Sequence, residues 1–391
     1  MLREIFLARA LRSFADGFVA VLLPAYLVAL GHDALGVGAL GTATLMGSAL
    51  ATLAVGRWGH RYAIRRLLLG AATLMLATGL GFASFSALWP LLLVAFIGPL
   101  NPSGGDSSVF LPLEHTVLAA HVHGDARTAA FARYAFIGSF AGAAGSLAAA
   151  VPDWIAPRAG LSALDALRVM FLAYAAVAVT VWVIYWRLPV EPREDEKPSA
   201  PLGPSKAIVW KLAALFSIDS FAGGLVVNSL LALWLFERFG LSLAAAGAFF
   251  FWSGLFSAAS QLLAPKLAQR IGLVNTMVFT HIPANLFLVA AAFATSLEWA
   301  LGLLLARAAL SQMDVPARSA YVMAVVTPPE RPAAASFTAV PRSLASALGP
   351  SLTGWLLAAG SFAAPLVACG VLKIAYDLAV WAAFRKVPPR A

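Results

Sequence analysis

Ser13-Phe14-Ala15-Asp16-Gly17-Phe18 opens one long apolar run, and Ser220-Phe221-Ala222-Gly223-Gly224-Leu225 opens another past the midpoint. Each run leads to a polar knot of the same layout. The first is Gly56-Arg57-Trp58-Gly59-His60-Arg61-Tyr62-Ala63 and the second is Pro265-Lys266-Leu267-Ala268-Gln269-Arg270-Ile271-Gly272. Arg61 and Arg270 hold the same place in the two knots. Further on, Gly124-Asp125-Ala126-Arg127-Thr128-Ala129-Ala130 is echoed by Pro328-Pro329-Glu330-Arg331-Pro332-Ala333-Ala334. The chain is a tandem duplication whose copies have drifted apart.

Composition says where those copies reside. Of 391 residues, 61% are hydrophobic and 12% charged, against about 25% charged in soluble domains. A helix needs roughly 20 apolar residues to span a bilayer. The hydropathy pattern predicts twelve spans, at 8–30, 34–56, 67–87, 88–112, 130–150, 166–187, 208–236, 242–264, 274–295, 298–320, 334–358 and 362–384. A charged, Pro-rich stretch from Pro189 to Pro201 separates them. The expected organisation is a first bundle over 1–188, a linker over 189–206 and a second bundle over 207–391.

The net charge of +9 is a matter of topology and not of nucleic-acid binding. Most of the 27 lysines and arginines fall at one set of span ends, Arg9 counted among them, while Arg158, Arg168 and Arg238 fall at the other. The positive-inside rule places both termini and the linker in the cytoplasm, with a cell (inner) membrane location. No small-residue cleavage site follows a short apolar core at the start, so the first span is expected to remain as an anchor. The single cysteine, Cys369, allows no disulfide within the chain. No His-Glu-x-x-His or Gly-x-x-x-x-Gly-Lys-Ser/Thr pattern occurs, which argues against a zinc hydrolase or an ATPase. His115, His121 and His123 lack a zinc-site spacing. No cofactor and no metal are expected.

Twelve spans in two halves, a charged central linker and a repeated knot resemble the major facilitator superfamily over the whole chain. The family knot reads Gly-x-x-x-Asp-Arg-x-Gly-Arg-Arg/Lys. Gly56, Arg61 and Arg65 fit it in the first copy, and Arg270 and Gly272 in the second. The acid that helps lock the cytoplasmic gate in the family is replaced by His60 and Gln269. The resemblance implies an all-α membrane protein of two pseudo-symmetric six-helix bundles, with spans 1, 4, 7 and 10 lining a cavity. It further implies a monomeric transporter working by alternating access, not an enzyme, with a small-molecule substrate, protons and the lipid bilayer as its partners. Leu348-Gly349-Pro350-x-x-x-Gly354 resembles the span 5 signature of the family's exporters, displaced here to span 11. Span 5 keeps Gly138, Gly142 and Gly145.

Ionisable residues within spans cost at least about 2.5–3.5 kcal/mol and so mark function. Asp16, with Arg12 one turn before it, is read as a proton carrier or as half of a structural pair. Asp219 aligns with Arg12. Asn101-Pro102-Ser103-Gly104-Gly105-Asp106-Ser107-Ser108 interrupts span 4, and its prolines and glycines should kink or break the helix. Ser103, Ser107, Phe110 and Glu114 share a face, with Glu114 and His115 expected near the cytoplasmic surface. Arg307, Ser311, Asp314 and Arg318 form the matching stripe of span 10, and Pro316 repeats Pro112. Lys373 and Asp377, four apart, are expected to neutralise each other. Asp16, Asp106, Glu114 and Asp314 are the proton-coupling candidates. Arg307, Arg342, Asn228, Ser107 and Ser311 are the substrate-binding candidates. Proton-coupled export of a small organic solute is the first expectation. The alternative is import or exchange of an organic anion on Arg307, Arg318 and Arg342.

Overall fold

The computed structural model describes residues 1–103, 108–122, 125–189, 202–327 and 330–385, without the side chains of 60, 125–129 and 332. Its α-helices are α1 Leu2–Ala29, α2 Ala34–Trp58, α3 Ile64–Ser84, α4 Leu88–Ile97, α5 Phe110–His121, α6 Asp125–Leu147, α7 Val151–Ala159 and α8 Ala163–Trp186. They continue as α9 Lys206–Gly224, α10 Asn228–Phe239, α11 Leu243–Ile271, α12 Leu273–Ala292, α13 Leu297–Ala308, α14 Asp314–Val325, α15 Arg331–Ala358 and α16 Ala364–Phe384. Helices start where the sequence supplies a cap: Asp33 accepts from the amide of Gly36, Ser162 from that of Asp165, and Ser296 from that of Trp299. Gly272 separates α11 from α12 at φ +87°, a conformation that disfavours any residue with a Cβ.

Among the described residues, nine stretches are long and apolar enough to cross a membrane. The three expected spans outside that set have physical reasons. Span 4 is split into α4 and α5 by a non-helical stretch whose described part is Gly98–Ser103 and Ser108–Val109. Pro102 prevents continuation, and Pro112 costs nothing in the first turn of α5, where its missing N–H would have no helical partner. Span 10 is split into α13 and α14, with Pro316 in the first turn of the second piece. Span 11, α15, is unbroken but diluted by Arg342, Pro341, Pro350 and several serines and threonines. Span 7, expected as continuous, is also interrupted: α9 ends at Gly224, and Val227 is extended before α10 begins.

The chain divides into two compact units, Met1–Asp195 with Val227–Phe251, and Glu196–Val226 with Trp252–Ala391. In the first, α1 packs on α6 and α3 on α8; in the second, α9 packs on α15 and α12 on α16. The repeat explains the first contact of each unit. A Cβ on Gly17 of α1 would strike the carbonyl of Gly142, and one on Gly145 the carbonyl of Phe14. In the second unit a Cβ on Gly224 would strike the carbonyl of Ser346, and one on Gly349 the backbone of Gly224 and Leu225. Small residues let these helix pairs approach closely without a hydrophobic drive from the lipid. Tryptophans gather at the span ends of the first unit, Trp58 and Trp186 at one end, Trp89 and Trp154 at the other, all exposed as an interfacial belt requires.

Candidate functional site

In the first unit, Arg12 of α1 reaches across to α5. Its guanidinium forms a buried ion pair with Glu114 and lies 4.1 Å over the ring of Phe110. The hydroxyls of Tyr134 and Tyr185 donate to the two oxygens of the same carboxylate. Glu114 is 0% exposed, so its carboxylate is enclosed by the helices around it. Arg12 therefore pairs between helices and not with Asp16 on its own helix. Asp16 is half-buried and makes no hydrogen bond or ion pair among the described residues. Arg9, counted with the span ends, is also buried, over the ring of Tyr134 and against Gly138, where a Cβ would collide with its guanidinium.

The second unit holds a larger cluster. Asp219 of α9 accepts from Arg318 of α14 at 2.9 Å and from Lys373 of α16 at 2.5 Å. Arg318 also lies 3.4 Å from Asp314, one turn earlier on α14. Two guanidiniums lie near the ring of Phe216, that of Arg318 at 5.5 Å and that of Arg342 at 5.9 Å from its centre. Arg342 donates to the hydroxyl of Ser220 at 3.2 Å and pairs with no carboxylate among the described residues. Nor does Arg307 of α13, whose buried Nε has no hydrogen-bond partner. Lys373 and Asp377 do not neutralise each other. Asp377 is instead held by Nδ1 of His281, 3.0 and 3.1 Å from its two oxygens.

The remaining candidates are scattered. Asn228 opens α10 and Ser311 lies between α13 and α14, both half-buried. Asp106 and Ser107 lie outside the described residues. Next to them, Asn101 accepts from the amide and hydroxyl of Ser103 in a tight turn. Of the knot residues, Arg61, Gly56, Arg270 and Gly272 are exposed and Arg65 half-buried, and none of the three arginines forms an ion pair among the described residues. The side chain of His60 lies outside the described residues. At the linker's far end, Glu330 takes the amide of Gly203 and the hydroxyl of Thr327. Hydrogen bonds from Ser205, Thr327 and Gly203 hold its carboxyl down at about 2. Tyr134, Tyr185 and Phe216 are functional candidates that sequence patterns did not single out, and the pairing of His281 with Asp377 is a contact they did not predict. A phenol or phenylalanine in an apolar span carries no periodic signal of its partner.

The sequence profile described as Major Facilitator Superfamily matches residues 5–311 and again 212–391. An uncharacterized membrane protein of Saccharomyces cerevisiae, YJR124C, is 24% identical over 383 residues, covering 88% of this chain and 85% of that one. The crystal structure of a bacterial homolog of the human lysosomal transporter Spinster, inward-facing and unoccupied, matches with a TM-score of 0.76 at 16% identity, over 99% of this chain and 97% of that one. The nucleoside transporter NupG matches with a TM-score of 0.75 at 16% identity, over 98% and 99%. At such identities the solved structures share the fold alone. The profile spans both copies of the repeat, and spans 4 and 10, which the repeat aligns, are both broken. The chain therefore belongs to the major facilitator superfamily, as a membrane transporter of small solutes that works by alternating access and is not an enzyme.

Proposed function

We propose that the protein carries a small organic anion and couples its movement to protons, with the two tasks divided between the halves of the repeat. The observation that carries this is Arg342: a guanidinium on α15 that bonds to a hydroxyl, lies by a ring and forms no ion pair with a carboxylate among the described residues. Holding a cation without an ion pair in a span is costly, and an anionic substrate would offset the cost. Arg307 is a second cation of the same kind, and Arg318 is already committed to Asp219 and Asp314. Ser311, in the same unit, supplies a neutral contact.

Asp16 serves as the proton carrier. It is an acid of span 1 with no hydrogen bond or ion pair among the described residues, whereas Glu114 has its oxygens engaged by three donors. Asp106 and Asp314 are secondary candidates. Export by antiport is the direction favoured by the Gly349-Pro350 signature. Six-span halves over 1–188 and 207–391, a monomer and an inner-membrane location complete the reading, together with a cytoplasmic strap over 189–206 and cytoplasmic termini, which the distribution of Lys and Arg supports. Gly56, Arg61, Arg65, Arg270 and Gly272 form the gate, without its usual acid.

The test is exchange in proteoliposomes against a panel of carboxylates and their neutral analogues. Arg342→Gln and Arg307→Gln should each lower uptake of the anionic solutes by tenfold or more, about 1.4 kcal/mol. Asp16→Asn should keep solute exchange while abolishing its response to a pH gradient. Uptake confined to neutral solutes, or unchanged in Arg342→Gln, overturns the anion reading.

A further inference from the structure

We propose that His281 and Asp377 form a second proton-binding site, which selects the partner of Lys373 and thereby decides whether α9 is tied to α16. Both residues are buried, at 4% and 1% exposure, on neighbouring membrane-spanning helices α12 and α16. Nδ1 of His281 lies within hydrogen-bond distance of both oxygens of Asp377. The two groups share one transferable proton at that contact, and a second proton can be carried by the imidazole as a whole. Nothing in the anion and Asp16 reading uses this pair, and the inference does not depend on it.

Its surroundings convert protonation into a mechanical choice. Lys373 stands one turn before Asp377 on α16 and bonds to Asp219 of α9 at 2.5 Å. The other charges acting on Asp377 are Asp219 and Lys373, and the edge of the Tyr376 ring meets His281 with centroids 6.4 Å apart. On the remaining elements packed against α12 and α16, the charged groups are Glu298 and Arg307 on α13, Asp314 and Arg318 on α14, and Arg331 and Arg342 on α15, while α9 carries Lys206 and Lys211 besides Asp219. When the imidazole is cationic it neutralises Asp377, and Lys373 is left to Asp219. When the imidazole is neutral, Asp377 is an unneutralised carboxylate in a low-dielectric interior, one turn from the lysine. It then competes with Asp219, which can fall back on Arg318 at 2.9 Å. A proton at the α12–α16 contact thus strengthens the α9–α16 tie, and its loss weakens it. α9 carries Asp219, Ser220 and Phe216, the residues that place Arg318 and Arg342.

One measurement on the full chain in detergent tests this. The coupling between Asp219 and Lys373, from the melting temperatures of Asp219→Asn, Lys373→Met and the double variant, should be larger at about pH 5 than at about pH 8. In a His281→Gln background that difference between the two pH values should disappear. A coupling equal at the two pH values, or a difference that survives in His281→Gln, overturns the proposal.

Discussion

The two halves of the repeat build the same bridge with the charges exchanged. In the first unit the base is on α1 and the acid on α5, Arg12 to Glu114; in the second the acid is on α9 and the base on α14, Asp219 to Arg318. Arg12 aligns with Asp219, and Glu114 and Arg318 each stand two residues after a proline, Pro112 and Pro316. The aromatic support is exchanged as well: Arg12 lies over Phe110 of α5, and Arg318 over Phe216 of α9. What the fold requires at this crossing is therefore a neutral, hydrogen-bonded pair between the span before the break and the span after it. Which helix carries which sign is free. The halves differ in what surrounds the pair. Two phenols close the first bridge, while the second is opened by an extra base, Lys373, and an extra acid, Asp314.

The largest effect should come from breaking the closed bridge. Arg12→Met leaves Glu114 buried with phenols alone and should cost about 3–5 kcal/mol, as removal of one partner of a buried pair does. Combining Arg12→Asp with Glu114→Arg installs the second unit's polarity in the first. Thermal unfolding in detergent should then recover more than half of the loss. A double variant no more stable than the singles would break the comparison, because the sign would prove to be fixed by the surroundings. Arg318→Met should cost less, about 1–3 kcal/mol. Lys373 still holds Asp219, and Asp314 sits at the favourable N-terminal end of α14.

The same bridges show what the chain discloses by itself and what it withholds. The membrane class and the break in span 4 follow from hydropathy and proline, which act locally. The partners of the charges do not. Arg12 beside Asp16, and Lys373 beside Asp377, satisfy the four-residue spacing that joins neighbours on one helix surface. Inside a bundle the neighbouring helix offers a better partner, because it also neutralises an acid that would otherwise be buried alone. Arg12 and Glu114 are 102 residues apart, and Asp219 and Lys373 are 154 apart, and no periodicity links them. The interruption of span 7 was hidden for another reason. No proline marks it, only the pair Gly223-Gly224 followed by β-branched Val226 and Val227.

Where the halves agree, substitutions should agree. Gly17→Ala and Gly224→Ala each drive a methyl group into a backbone carbonyl of the partner helix, Gly142 in one unit and Ser346 in the other. Backbone has to move in both, and each should lose about 1–3 kcal/mol. Unequal losses beyond about 1 kcal/mol would mean that the duplicated crossing has been relaxed in one half.

The glycine next door should behave in the opposite way. Gly223 aligns with Asp16, is half-buried, and offers a new Cβ ordinary contact at 3.7 Å from the Lys373 nitrogen. Gly223→Asp gives the second half the acid that the first half has. Replacing a glycine inside α9 regains some helix propensity, and the new carboxylate has a cation within reach, so the unfolding temperature should change by the equivalent of under about 1 kcal/mol. Its effect should instead appear in the bridge. Lys373 gains a second acid on α9, so Lys373→Met should destabilise the Gly223→Asp protein more than the parent. If Lys373→Met costs the same in both backgrounds, the new acid does not reach the lysine. The division of charge between the halves would then owe nothing to Gly223, and the exchange of signs would be confined to the two bridges.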